Sequence, residues 1–157
     1  MGTRYTRRFE VLFRKLQMIK ISHRGNINGR IEEAENRPDY IEDTLRLGYD
    51  VEVDVWFLDN KFYLGHDEAL YATDKIFLSN PRLWVHCKNV DAVLALKHSK
   101  VHYFWHETDT LTLTSNNFIW AYPGKQPIKD SIAVMPELYN DDLSLCIGIC
   151  SDYISKY

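Results

Sequence analysis

The 157-residue sequence contains no uninterrupted apolar run near the roughly 20 residues that a membrane-spanning helix requires. Its first residues are basic but lack the continuous apolar core of a secretory signal, so the expected localisation is cytoplasmic. Seven glycines and five prolines are too few for a fibrous or low-complexity chain. The three cysteines, Cys87, Cys146 and Cys150, form no Cys-x-x-Cys pair. An odd count without framework spacing argues against a zinc ribbon or a disulfide scaffold and suits buried thiols in a reducing compartment. A basic excess is also missing. Six Lys and Arg against one Glu give the first twenty residues a charge of +5, and the remainder is near -8 within a total of -3. An acidic body excludes a nucleic-acid groove, which needs a basic stripe.

What is present suits one domain with a real core, since 45% of the residues are hydrophobic and 13% aromatic. Residues 1–17 read as a basic amphipathic helix, with Tyr5, Phe9, Leu12, Phe13 and Leu16 at helical spacing. Its apolar face either packs on the domain or makes peripheral membrane contact through residues 4–16. Met18 offers a second start, which would make this helix an appendage.

From residue 18 onward one domain is expected. "MIKISHRG" reads as a strand, and "RPDYIEDTLRLG" as a helix with Pro38 in its first turn and Gly48 at its stop. "YDVEVDVWFLDNKFYLGHD" reads as a long strand, a turn at Asp59–Asn60 and a second extended piece. "LWVHCK" is a further strand, and Asn89 can cap a helix from Val90 with Val90, Val93, Leu94 and Lys97 on one side. Four short apolar runs follow: "VHYFWH", "FIWAY", "SIAVM" and "LCIGIC". Strand–helix–strand order implies parallel strands with right-handed crossovers. The expected fold class is therefore α/β, and if the strands close into a barrel it is a compact one with several outer helices shortened or missing.

Alternation locates the chemistry. In "VEVDVW" the valines face one way, and Glu52 and Asp54 the other. Both faces of a parallel sheet are covered, so the two carboxylates need compensation, and a divalent cation supplies it. His23 and His66 stand beside Gly25 and Gly65 at strand ends, where active sites of parallel α/β folds lie. They form a candidate acid/base couple. Arg24 offers a fork suited to phosphate oxygens, while His86 and Lys88 on the third strand add a ligand and an anion contact.

"ISHRG", then Glu35-Asn36, "GYDVEVDVW" and "LGHD", in this order, resemble the glycerophosphodiester phosphodiesterase family. "IGICSDYIS" is similar to that family's closing strand. The resemblance is strongest over Ile21–Glu68, about a third of the chain. It implies a TIM-type barrel whose metal is held by Glu52 and Asp54, with His23 and His66 as base and acid and Arg24 on the phosphate. Lys88, Glu35 and Asp152 would complete the substrate pocket; Trp120, read from its own aromatic character, either offers a face to a sugar or polyol or fills the barrel. His86 stands where the family has a glutamate ligand. Either it binds the metal, or Glu137, Glu107 or Asp109 completes the set. The implied cofactor is Mg²⁺ or Ca²⁺, with Mn²⁺ or Zn²⁺ an option that His86 introduces.

The implied function is metal-dependent hydrolysis of a glycerophosphodiester-like or sugar or polyol phosphodiester through a cyclic phosphate. Two alternatives use the same residues: a lyase that stops at the cyclic phosphate, and a non-catalytic module that binds a phosphate ligand. The expected partner is a small phosphodiester rather than nucleic acid. A shortened outer layer would leave strand faces open to a second copy, making a homo-oligomer an option.

Overall fold

The computed structural model describes residues 18–157. The amphipathic helix read over 1–17 and its membrane contact lie outside the described residues. Among those described, no helix is long and apolar enough to cross a membrane.

The described residues build ten strands and three short α-helices. In order they are β1 (Ile19–His23), α1 (Pro38–Arg46), β2 (Asp50–Leu58), β3 (Lys61–Leu64), β4 (Tyr71–Thr73), α2 (Lys75–Leu78) and β5 (Leu83–Cys87). Then come α3 (Val90–Leu96), β6 (Tyr103–Trp105), β7 (Leu111–Leu113), β8 (Ile119–Ala121), β9 (Ser131–Val134) and β10 (Gly148–Ser151). All ten strands join one mixed sheet. Eight of them follow the path β4-β3-β2-β1-β10-β9-β8-β7, while β5 pairs β2 and β6 pairs β5 off that path.

This is not the TIM-type barrel expected from the sequence. The sheet curls into an open half-barrel carrying only three short helices among the described residues. Two physical causes are visible. The connections from β8 to β9 and from β9 to β10 contain no α-helix, so the outer layer of a barrel is missing there. In addition, β7 turns back antiparallel on β8 and breaks the parallel run. β6 meets that hairpin through single bonds instead of a ladder: Ser115 N–H to the Tyr103 carbonyl at 2.8 Å and the Thr112 hydroxyl to the Trp105 carbonyl at 2.9 Å.

β2 is the axis of the molecule. It pairs in parallel with β1 and β5 and, further along, in antiparallel fashion with β3 across a turn at Asp59–Asn60, both at positive φ. Val51, Val53 and Val55 are fully buried on its outer face against Ile41 and Leu45 of α1 and Ala92 and Leu96 of α3. Each such valine is worth roughly 1.5–3 kcal/mol. α1 begins at Pro38 with Asp39 in its first turn, as its sequence predicts. α3 is capped by Asn89, whose side chain accepts from the Ala92 N–H at 3.2 Å. Its buried residues are Ala92 and Leu96, however, while Val90 and Leu94 are exposed. The apolar face read from the sequence is rotated, because the smaller Ala92 fits closer to the sheet.

The concave face is aromatic. Trp84, Phe104 and Trp120 pack with Ile21, Ile132, Val134 and Cys150, and Phe104 and Trp120 lie 4.6 Å apart between ring centroids. Around β9 and β10 the outer face is covered by loops, where Ala133, Cys146, Ile149 and Ile154 cluster.

Candidate metal centre

Strand register assembles the site. Glu52 is level with His23 of β1, and Asp54 is level with His86 of β5. In-register parallel strands place these side chains together on the concave face, which no single-strand periodicity could show. Glu52 is 2% exposed and Asp54 fully buried, as the alternation in "VEVDVW" predicts.

Glu52, Asp54 and His86 offer ligand atoms that all lie within 4.8 Å of one another, and this group could hold a metal ion. His86 Nδ1 stands 3.2 Å from Asp54 Oδ1 and 3.6 Å from Glu52 Oε1. Its other nitrogen, Nε2, donates to the His106 carbonyl at 2.8 Å. A carbonyl only accepts, so Nε2 carries a proton and Nδ1 is the atom presented to the carboxylates. Glu52 Oε2 and Asp54 Oδ1 are buried with no hydrogen-bond partner. Orphaned carboxylate oxygens are costly, and a cation would satisfy them. The donor set fits a divalent ion.

Without a cation, positive side chains carry the compensation. Arg24 Nε lies 2.9 Å from Asp54 Oδ2, and Lys88 Nζ 3.7 Å from Asp54 Oδ1. The Arg24 contact is off the N–H axis and is an ion pair only, since Nε has no hydrogen-bond partner. Burial works to raise the Asp54 carboxyl, but His86, Arg24 and Lys88 outweigh it and hold it well below the usual carboxylate range. Burial works to lower His86, yet Asp54 and Glu52 push it up to about 9.

Asn36 clasps Asp54 from the loop before α1. Its Nδ2 donates to Asp54 Oδ2 at 2.9 Å, and its Oδ1 accepts from the Asp54 N–H at 2.9 Å. The backbone is left-handed at both Arg24 (φ 56) and Asn36 (φ 61). Two bonds hold these turns: Arg24 N–H to the Glu52 carbonyl at 3.0 Å and Asn36 N–H to the Arg24 carbonyl at 3.1 Å.

His23 occupies the neighbouring position. Its Nδ1 pairs with Asp152 Oδ1 at 2.8 Å, and its Nε2 lies 3.9 Å from Glu52 Oε2. Burial works to lower the His23 imidazole, but the Asp152 hydrogen bond and the Glu52 charge raise it overall. Asn26, fully buried, donates to Asp152 at 2.8 Å and to Glu35 Oε1 at 2.9 Å. Glu35 also receives Arg24 Nη1 at 3.2 Å and Arg30 Nε at 3.1 Å.

A pocket of about 290 Å³ opens on this group and is lined by His23, Arg24, Glu52, His66, His86 and Lys88. Trp105, His106, Trp120 and Tyr122 form its aromatic side. His66 stands at the mouth, its side chain 40% exposed and its Nδ1 2.8 Å from Asp67 Oδ1. His106 is buried with both ring nitrogens unpartnered, its ring 3.9 Å from that of Tyr122, and burial lowers it to about 4.

The structure thus brings His23, Arg24, His66, Glu52, His86, Lys88 and Trp120 to one pocket, with Asp54, Glu35 and Asp152 immediately behind its wall. The alternative third ligands are outside the grouped set. Glu137 accepts from the Ser151 hydroxyl at 2.7 Å and from Tyr157 at 3.2 Å. Glu107 lines the same pocket but is exposed, as is Asp109, and neither belongs to the group of three. Sequence reasoning missed Asn26 and gave Asn36 no role of its own. Asn26 has only the signal of a polar residue beside a turn, which most loops share, and Asn36 enters only as part of the Glu35-Asn36 motif. Cys87, Cys146 and Cys150 are buried free thiols, as read from the sequence.

No protein-family model, curated protein or solved structure matches this chain. The functional reading rests on the site itself.

Proposed function

We propose that the chain is a divalent-cation-dependent phosphodiesterase acting on a small glycerophosphodiester-like, sugar or polyol phosphodiester. One observation carries the reading. Two buried, unpartnered carboxylate oxygens lie beside an oriented histidine and an arginine, three of these four side chains lining one pocket with a second histidine at its mouth. A cation held by Glu52, Asp54 and His86 would supply positive charge against the non-bridging phosphate oxygens.

The protein groups do the rest. Asp152 holds the Nδ1–H of His23, which leaves Nε2 to accept or donate a proton in the pocket. His66 supplies the second proton-transfer group at the mouth. Arg24 commits Nε and Nη1 to Asp54 and Glu35, leaving Nη2 for a phosphate oxygen. Lys88 adds a further positive charge on the same side.

A substrate hydroxyl neighbouring the phosphodiester loses its proton to one histidine, and its oxygen forms a bond to phosphorus. The opposite P–O bond breaks, and the departing alcohol takes a proton from the other histidine. Water then opens the cyclic phosphate with the two histidines in exchanged roles. Trp120, Trp105 and Tyr122 offer apolar faces for the carbon skeleton of the alcohol.

The test is full-length protein with Mg²⁺, Ca²⁺, Mn²⁺ or Zn²⁺ against a panel of glycerol, sugar and aryl phosphodiesters, with products followed by phosphorus NMR. A phosphomonoester product is expected. Accumulation of cyclic phosphate alone would assign a lyase, and cleavage of no panel member with any cation would refute the reading.

A further inference from the structure

We infer that the Glu52–Asp54–His86 centre selects Zn²⁺ over the oxygen-preferring cations Mg²⁺ and Ca²⁺. This rests on the group being a cation site, not on phosphodiester chemistry. Three observations carry it.

The first is the shortage of oxygen. Ca²⁺ takes about six to eight oxygen ligands, and Mg²⁺ prefers carboxylates and water. Only two carboxylates reach this centre among the described residues. Two polar neighbours behind the wall are already engaged: Asn36 Oδ1 accepts from the Asp54 N–H, and Glu35 is occupied by Asn26, Arg24 and Arg30. Arg24 and Lys88 also offset the Asp54 charge at 2.9 and 3.7 Å, which weakens a site that relies on charge alone.

The second is the preparation of His86. Its Nε2–H is fixed on the His106 carbonyl at 2.8 Å, and its ring lies nearly parallel to Phe104, 5.1 Å away with an 8° interplanar angle. Ring plane and ligating atom are therefore both set before any ion arrives. Imidazole nitrogen suits zinc and its neighbours rather than the hard cations, whose ligands are oxygen.

The third is spacing. Ligands about 2.0–2.2 Å from a tetrahedral ion lie roughly 3.3–3.6 Å from one another. His86 Nδ1 stands 3.2 and 3.6 Å from its two carboxylate neighbours. Glu52 Oε2 and Asp54 Oδ1, buried and unpartnered, are the independent sign that a ligand belongs there. Three protein ligands with Glu52 and His86 on the pocket wall leave a position for a substrate or water oxygen.

The experiment is calorimetric titration of chelator-stripped full-length protein with ZnCl₂, MnCl₂, MgCl₂ and CaCl₂ separately. One Zn²⁺ per chain should bind more tightly than Mg²⁺ or Ca²⁺, with Mn²⁺ between them. His86→Glu should narrow or reverse that ratio by strengthening Mg²⁺ and Ca²⁺ binding. His86→Gln, which keeps similar volume but removes the imidazole nitrogen, should abolish the preference while circular dichroism shows a native fold. Equal affinity for all four ions in the unmodified protein would overturn the inference. So would a preference that survives in both His86 variants, since zinc would then be held elsewhere. Absence of any cation binding would remove the cation site together with the inference. Selective Zn²⁺ binding without diester cleavage would sink the phosphodiesterase reading alone.

Discussion

Replacing Asn36 by Ala tests whether the carboxylate at the heart of the site is held by its amide clasp. Asn36 is 1% exposed and spends both amide atoms on Asp54. Truncation removes the bond to a charged carboxylate, worth about 1.5–3 kcal/mol, and strands the buried Asp54 N–H at about 1–3 kcal/mol. Alanine at the left-handed φ of 61° adds roughly 1–2 kcal/mol. The terms together come to roughly 3.5–8 kcal/mol, and because contacts at one side chain are not additive the expected loss is about 4 kcal/mol, or roughly 8–16 °C in Tm for a domain of this size. Asn36→Asp gives a sharper sign. It keeps the acceptor for the Asp54 N–H and tolerates the backbone, but sets a second carboxylate beside Asp54. Its deficit relative to the parent should be large at pH 7.5 and shrink towards pH 5, as the added carboxyl, raised in the folded state, takes up a proton. Urea unfolding at both pH values, followed by tryptophan fluorescence, measures this. An Asn36→Ala loss below about 1 kcal/mol, or an Asn36→Asp deficit that grows on acidification, would refute the reasoning.

Asp152→Asn should lower turnover on any diester found to be cleaved by roughly 10²–10⁴-fold, with smaller change in substrate binding, because the amide favours the wrong His23 tautomer. Gly65→Ala should unfold or strongly destabilise the chain by thermal melt, since a Cβ there would meet the Glu68 carbonyl oxygen at 2.0 Å at a φ of +146°. His102 packs 4.2 Å from Trp84 and shares a 2.8 Å hydrogen bond with Thr114, and burial depresses it to about 4. The unfolded chain therefore binds more protons between pH 6.5 and 4, so stability present above pH 6.5 is lost on acidification through that window. His102→Phe should flatten that part of the acid denaturation curve.

The local elements were legible because each is written locally. Pro38 and Gly48 bracket α1, Asn89 caps α3, and Glu52 and Asp54 alternate with three buried valines. The closure of the sheet was not legible, because it depends on what the weak middle of the chain does. Leu111–Leu113 is three residues long and has exposed leucines, yet it turns the run antiparallel. His86 could be placed on the right face by parity, but its partner could not. That depends on the register of Asp54 opposite His86, and on a carbonyl contributed by His106, whose side chain takes no part in it. Asn26 and Asn36 act through side-chain bonds across 126 and 18 residues, a distance over which no pattern in the sequence operates.

β1 pairs with β10 on one edge and β2 on the other. During synthesis β2 follows β1 closely, but β10 arrives roughly 125 residues after His23. At about 5–20 residues per second the inner edge of β1 stays unpaired for roughly 6–25 s, and His23 lacks Asp152 throughout. The His23–Asp152 pair is therefore assembled last, after Glu52, Asp54 and His86 have all been synthesised.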